Sequence, residues 1–273
     1  MFELLKAAFL GVVEGITEWL PISSTGHMIL VNEFVKLKVS EDFWNMFLVV
    51  IQLGAILAVV VIYWNKIFPF SFKKGESFIK KDIFQMWFKI IVGVLPAAIV
   101  GIPLDDFMEE HLSSYQVVAI ALIVYGIVFI VMENRNKGKQ FAITDMSQMT
   151  YGTALKIGCF QVLSLIPGTS RSGSTIIGGM LSGTSRTVAA EFTFYLAIPV
   201  MFGASLLKLL KFGFDFTAME LGILGVGMTV AFGVSILAIR FLMGYIKKYD
   251  FKAFGWYRIV LGAVVLGYFA LMG

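Results

Sequence analysis

Apolar residues run along this chain in blocks of about 20, separated by short polar stretches, and that length matches one crossing of a bilayer by an α-helix. Full-length blocks fall at residues 43–64, 84–104, 115–133, 188–210, 218–243 and 253–272. Each predicts a membrane-spanning helix. Two further blocks are broken. Residues 2 to 20 stop at Pro21, because the residue before a proline is pushed out of helix geometry. Ser23 or Ser24 can then cap a new helix from Thr25 to Val35. Residues 150–166 stop in the same way at Pro167, and Ser172 to Ser182 restart the helix. Every piece is shorter than a span, so the pattern predicts two re-entrant hairpins.

A hairpin followed by three spans occurs twice. This divides one integral membrane domain, 1–273, into repeat one at about 1–135 and repeat two at about 150–273. A shift of 146 sets Leu20-Pro21 on Ile166-Pro167 and Ser23-Ser24 on Thr169-Ser170. A shift of 147 sets Glu14 on Gln161 and Phe47 on Phe194. Three crossings is an odd number, so the second repeat is inverted relative to the first. The expected fold is an all-α polytopic membrane protein with inverted-topology repeats whose broken helices meet near the midplane.

Loop charge gives the direction. Lys66, Lys73, Lys74, Lys80 and Lys81, then Arg135, Lys137 and Lys139, then Lys247, Lys248 and Lys252 all fall on one side, which the positive-inside rule makes cytoplasmic. An opposite loop near Asp105, Asp106, Glu109 and Glu110 has no lysine or arginine. Both termini and the mouth of the first hairpin then face outward. Pro96 and Pro199 lie inside spans, and Gly93, Gly101, Gly222, Gly225 and Gly227 are expected to permit close helix contact.

Composition narrows the function. The chain is 58% hydrophobic and 15% charged, with mean hydropathy +0.85, which excludes a soluble globular protein. Glu14 and Glu18 interrupt the first block and no small-residue cleavage site follows, so no cleavable signal peptide is expected. The single cysteine, Cys159, rules out an internal disulfide and a cysteine-built zinc site, and is expected as a small buried hydrophobe. The net charge of +4 comes without a basic tract, so nucleic acid is not a partner.

Two polar runs stand out of the oil. Glu14 to Met28 holds two carboxylates, Glu14 and Glu18, the hydroxyls of Ser23, Ser24 and Thr25, then Gly26 and His27. Polar groups at membrane depth are costly and mark function. Glu14 and Glu18 share a helix face, and two carboxylates in a low dielectric need a divalent cation or an arginine between them; Mg2+ or Ca2+ suits oxygen ligands and bridges carboxylates to phosphates. The alternative is that both carboxylates lie in water at the membrane edge. Ser23-Ser24-Thr25-Gly26 opens a helix, where backbone N–H groups and the dipole favour an anion, although the same residues also serve as a simple cap. His27, three after Ser24, is a candidate base for a serine or water nucleophile. The second run, Pro167 to Thr175, offers Thr169, Ser170, Ser172, Ser174 and Thr175 around Arg171, whose planar fork suits phosphate. Arg171 is equally suited to pairing with Glu14 or Glu18. No P-loop spacing is present. Gln161 and Glu191 are further polar candidates, better suited to packing hydrogen bonds.

These two runs, with Gln52-Leu53-Gly54-Ala55 and Gly158-Cys159-Phe160-Gln161, closely resemble the bacterial undecaprenyl-diphosphatase family of the bacitracin-resistance type. The resemblance implies hydrolysis of undecaprenyl diphosphate to the monophosphate and inorganic phosphate. That recycles the lipid carrier for peptidoglycan synthesis and confers bacitracin resistance. It also implies inverted repeats with two re-entrant segments, a divalent cation and homodimers. By position, Glu14 and Glu18 would hold the metal or water, Arg171 the diphosphate, and Ser24 and His27 would be nucleophile and base, with His27 or water as alternative nucleophiles. Another lipid-phosphatase superfamily pairs Gly-His with Ser-Arg but needs a later histidine, and here the other histidine is His111. The competing class is a transporter or lipid flippase, since broken helices in inverted repeats also build transporters.

Overall fold

A computed structural model describes residues 1–272 apart from Lys74 and Glu76, and every side chain among them except those of Asp105, Asp106 and Glu109. Lys74 of the expected basic loop and those three acidic side chains therefore lie outside the described residues.

The described residues form eleven α-helices and two single-turn 3-10 segments, with β-pairing confined to isolated bridges. In order they are α1 (Phe2–Thr17), α2 (Ser24–Phe34), α3 (Glu41–Ile62), α4 (Trp64–Ile67), α5 (Lys81–Leu112), α6 (Tyr115–Asn136), α7 (Tyr151–Val162), α8 (Arg171–Leu181), α9 (Arg186–Phe212), α10 (Ala218–Tyr245) and α11 (Lys252–Met272). Six of them are long and apolar enough to cross a membrane: α3, α5 over Lys81–Leu104, α6, α9, α10 and α11. Side-chain caps start four of these. Ser40, Ser114, Ser185 and Thr217 accept from the N–H of Phe43, Val117, Val188 and Glu220, satisfying donors that have no partner within a first helical turn.

Three expectations need correction. The acidic stretch near Asp105 to Glu110 is helix rather than loop: α5 continues past Pro103 to Leu112, because Ser113 and Ser114 alone make the turn into α6. Cys159 is exposed rather than buried, since its neighbour Gly158 takes the contact face of α7 against α5. Gly225 faces open space, whereas Gly93, Gly101, Gly222 and Gly227 each meet a side chain of a neighbouring helix.

Packing follows a paired pattern. α1 lies on α10 and α7 lies on α5; α3 packs on both α9 and α10, and α6 on α11. Gly11 of α1 sits against the carbonyl of Gly227 in α10, and Gly158 of α7 against the carbonyl of Gly93 in α5. A Cβ at either place would fall inside van der Waals contact, so these glycines set how closely the helices approach.

Polar contacts tie the helix ends together. Lys66 donates to Glu191 Oε1 at 2.8 Å, Arg186 Nε to Glu133 Oε1 at 2.8 Å, and the Phe251 N–H to the same oxygen at 3.0 Å. The basic segments after α3, after α6 and before α11 therefore gather at one end of the bundle. Elsewhere Lys6 Nζ donates to the Lys36 carbonyl and the Lys38 N–H to Glu3 Oε2, which sets the start of α1 beside the end of α2. The Ile143 N–H donates to the Gly183 carbonyl and the Ser185 N–H to the Ile143 carbonyl, which sets the approach to α7 beside the end of α8.

Candidate active site

Each broken block turns on one serine. Ser23 and Ser170 have φ of 74° and 72°, the two left-handed non-glycine residues among those described. L-residues there are strained by about 1–3 kcal/mol. Each serine caps the helix it opens: Ser23 Oγ accepts from the Gly26 N–H at 3.3 Å and Ser170 Oγ from the Gly173 N–H at 3.1 Å. The caps are therefore equivalent at an offset of 147, not the 146 that aligns the prolines. Gly168, with φ of 90°, accommodates the extra residue between Pro167 and Ser170. The second helix accordingly starts at Arg171, one residue before the expected Ser172.

The two turns border one cavity of about 480 Å³, within the range of small-molecule sites. Glu18, Ser23, Ser24 and Thr25 line it from the first turn, and Pro167, Gly168, Ser170 and Arg171 from the second. Both helix N-termini thus open onto the same space, where their dipoles favour an anion. Glu18 joins the halves. Its Oε2 accepts from Ser24 Oγ at 2.9 Å and its Oε1 from Arg171 Nη2 at 2.9 Å. Arg171 Nη1 donates to the Thr193 carbonyl at 3.0 Å, Nε is unpaired, and the guanidinium lies over the buried Trp19 ring at 5.9 Å.

The remaining residues of the two runs are arranged around this core. Glu14 is buried one turn before Glu18, with Oε1 unpaired. His27 bonds neither Ser24 nor a carboxylate: Nδ1 lies 2.7 Å from the Ser23 carbonyl and Nε2 lies 2.7 Å from Tyr257 Oη. Gly26 packs on Leu122. Thr169, Ser172, Ser174 and Thr175 are buried behind the second turn. Ser172 Oγ donates to the Glu18 carbonyl at 3.1 Å and Thr175 Oγ1 to the Arg171 carbonyl at 2.9 Å, so these two brace the turn. Gln161 borders the cavity, whereas Glu191 is held by Lys66 and Tyr195 at the basic end.

Among the described residues no three His, Cys, Asp or Glu side chains are gathered as for a metal. A Mg2+ or Ca2+ that takes its other ligands from water and substrate phosphates needs only one or two carboxylates. The unpaired Glu14 oxygen beside Glu18 fits that requirement.

Sequence reasoning missed Arg258. It is fully buried in α11, with Nη1 donating to the Pro21 carbonyl at 3.3 Å and Nη2 to the Gly168 and Thr169 carbonyls at 2.9 and 2.8 Å. One side chain therefore pins both turns. Its signal was present: an arginine inside an apolar span is functional until shown otherwise.

A family model described as bacitracin resistance protein BacA matches residues 7–264. Similar proteins named undecaprenyl-diphosphatase include those of Acetivibrio thermocellus, 64% identical over 98% of this chain and 98% of that protein. Another, of Enterococcus faecalis, is 64% identical over 97% and 96%, and that of Lactiplantibacillus plantarum is 56% identical over the full length of both. With nearly the whole chain matched, this protein belongs to the bacitracin resistance protein BacA family.

Proposed function

We propose that this chain hydrolyses undecaprenyl diphosphate to undecaprenyl phosphate and inorganic phosphate, recycling the carrier for peptidoglycan synthesis and conferring bacitracin resistance. The observation that carries the reading is Glu18, bonded at once to the Ser24 hydroxyl and the Arg171 guanidinium beside a cavity fed by two helix N-termini. An anion transporter has use for the arginine and the helix dipoles. It has none for a serine hydroxyl held against a carboxylate.

In this reading the diphosphate enters between Ser23–Thr25 and Ser170–Arg171, and Arg171 neutralises its charge. Ser24 Oγ attacks the terminal phosphorus while its proton passes to Glu18. The bond from that phosphorus to the bridging oxygen breaks, and undecaprenyl phosphate leaves with the proton. Water then displaces phosphate from Ser24 and restores the hydroxyl. His27, with Nδ1–H donated to the Ser23 carbonyl and Nε2 accepting from Tyr257, holds the first turn in place. Glu14 and Glu18 would hold a divalent cation, which supplies charge neutralisation at the phosphates.

The same reading makes α1–α2 and α7–α8 two re-entrant hairpins in inverted repeats. At 1.5 Å per residue none of the four exceeds about 24 Å, short of the ~30 Å of a bilayer core. The start of each pair lies beside its own end, through Lys36 and Lys38 in one case and Ile143 and Gly183 in the other. The contacts of α1 with α10 and of α7 with α5 match under exchange of the halves. With the basic end cytoplasmic, the first hairpin opens outward.

The test is phosphate release from undecaprenyl diphosphate by purified protein in detergent with Mg2+, Ca2+ or EDTA, wild type beside Arg171→Ala. Metal-dependent release that the variant lacks is expected. Absence of release from folded wild type overturns the reading.

A further inference from the structure

Gln161 is 1% exposed, borders the same cavity as Glu18, Ser24 and Arg171, and has no hydrogen-bond partner on either Oε1 or Nε2. Leaving both ends of a buried carboxamide unpaired is unfavourable, and a group in that state beside a cavity is completed by what the cavity takes up. Its backbone is already fixed. The Gln161 carbonyl accepts from Ser164 Oγ at 2.6 Å, which closes the end of α7 and leaves the side chain free for a ligand.

The position has a counterpart. At the offset of 147 that equates Ser23 with Ser170 and Gly11 with Gly158, Gln161 stands where Glu14 stands in the first half. Glu14 also keeps an unpaired buried oxygen. The two halves thus offer chemically opposite groups. A carboxylate suits a cation, whereas an amide N–H suits an anionic oxygen and adds no charge that would hold the product back.

We infer that Gln161 is a substrate-positioning residue whose Nε2–H donates to a non-bridging oxygen of a lipid diphosphate headgroup. This rests on the phosphatase reading above. The carboxamide fixes the phosphate from the second half of the chain while Glu14 serves the cation from the first.

The experiment compares wild type with Gln161→Leu and Gln161→Glu, measuring KM and kcat for undecaprenyl diphosphate and the rise in Tm on adding inorganic diphosphate. Gln161→Leu keeps the size and removes the donor, so KM is expected to rise about tenfold or more with kcat within about threefold. Gln161→Glu adds repulsion and raises KM further. Without ligand, Gln161→Leu keeps or exceeds the wild-type Tm, because it removes unpaired groups, while its Tm rise with diphosphate is smaller. KM within about twofold of wild type in both variants overturns the inference, as does a lowered Tm with unchanged KM, the mark of a purely structural residue. If folded wild type releases no phosphate, the phosphatase reading fails separately. The Tm shift with inorganic diphosphate then decides: a shift in wild type that Gln161→Leu loses supports the amide as an anion ligand, and equal or absent shifts overturn it.

Discussion

At the scale of single residues, the site is a competition for Glu18. Its two oxygens are taken by Ser24 and Arg171, and Arg171 spends a second nitrogen on the Thr193 carbonyl. A lysine carries the same charge but has neither the fork nor the reach to hold Thr193, Glu18 and a phosphate together. Arg171→Lys is therefore expected to lose about a hundredfold or more in kcat/KM while staying folded; near-normal turnover in the phosphate-release assay removes its assigned role. The carboxylates are tested by metal titration. Glu14→Gln and Glu18→Gln are each expected to raise the cation concentration for half-maximal activity, and unchanged titrations in both would remove the metal from this pair. Arg258 belongs to a different class, because it touches backbone rather than the cavity. Arg258→Met strands three carbonyls, so a stability loss of about 3 kcal/mol is expected by thermal or denaturant unfolding. A Tm equal to wild type would show that the turns hold without it. Sequence reading reached Glu18, Ser24 and Arg171 because polar residues in an apolar chain are conspicuous. It passed over Arg258, which lies outside both polar runs and shows its role only when α11 folds against two turns 90 and 237 residues away.

At the scale of elements, most helix limits were legible because apolar length, proline and serine caps act locally. The end of α5 was not, since the helix runs on through Pro103 and the acidic stretch to Leu112. The other places where reading failed are those decided by tertiary contact. Nothing local distinguishes Cys159 from Gly158; only the approach of α7 to α5 puts the glycine inward and the thiol outward. Aligning the prolines, at an offset of 146, sets Ser23 on Thr169, whereas the two left-handed caps are Ser23 and Ser170, at the offset of 147 that also sets Glu14 on Gln161. Those caps combine a gain and a strain that substitution separates. Ser23→Ala removes the hydrogen bond to Gly26 and keeps the strain, at a cost of about 1 kcal/mol or more. Ser23→Gly also loses the bond but relaxes the left-handed φ, so it is expected to be the more stable of the two. Unfolding midpoints measured in one detergent decide the order, and an alanine variant more stable than the glycine one would mean that the turn is unstrained.

At the scale of the whole molecule, one question sets where the cavity opens: which end of the bundle is cytoplasmic. The contacts of Lys66 with Glu191 and of Glu133 with Arg186 and Phe251 place the segments after α3, after α6 and before α11 at a common end. Those segments contain Lys66, Lys73, Lys80, Lys137, Lys139, Lys247 and Lys248, whereas the connections at the other end contain Lys36 and Lys38 and no other lysine or arginine. Short connections are where the positive-inside rule acts, and the asymmetry predicts that the crowded end lies in the cytoplasm. The single native thiol makes this directly measurable. In a Cys159→Ser background, Asp215→Cys lies in the connection between α9 and α10, and Lys139→Cys lies beyond α6; both positions are exposed. An impermeant maleimide applied to intact cells, or to spheroplasts where an outer membrane intervenes, is expected to label the cysteine at 215 at once. The cysteine at 139 should react only after the membrane is opened. The reverse pattern would turn the molecule over and point the first hairpin at the cytoplasm. Equal labelling of both from outside would mean that the two connections share a side, which six crossings with hairpins that return do not allow. The charge on a handful of lysines, read with the hydrogen bonds that gather them, thus predicts which leaflet would deliver the proposed lipid substrate.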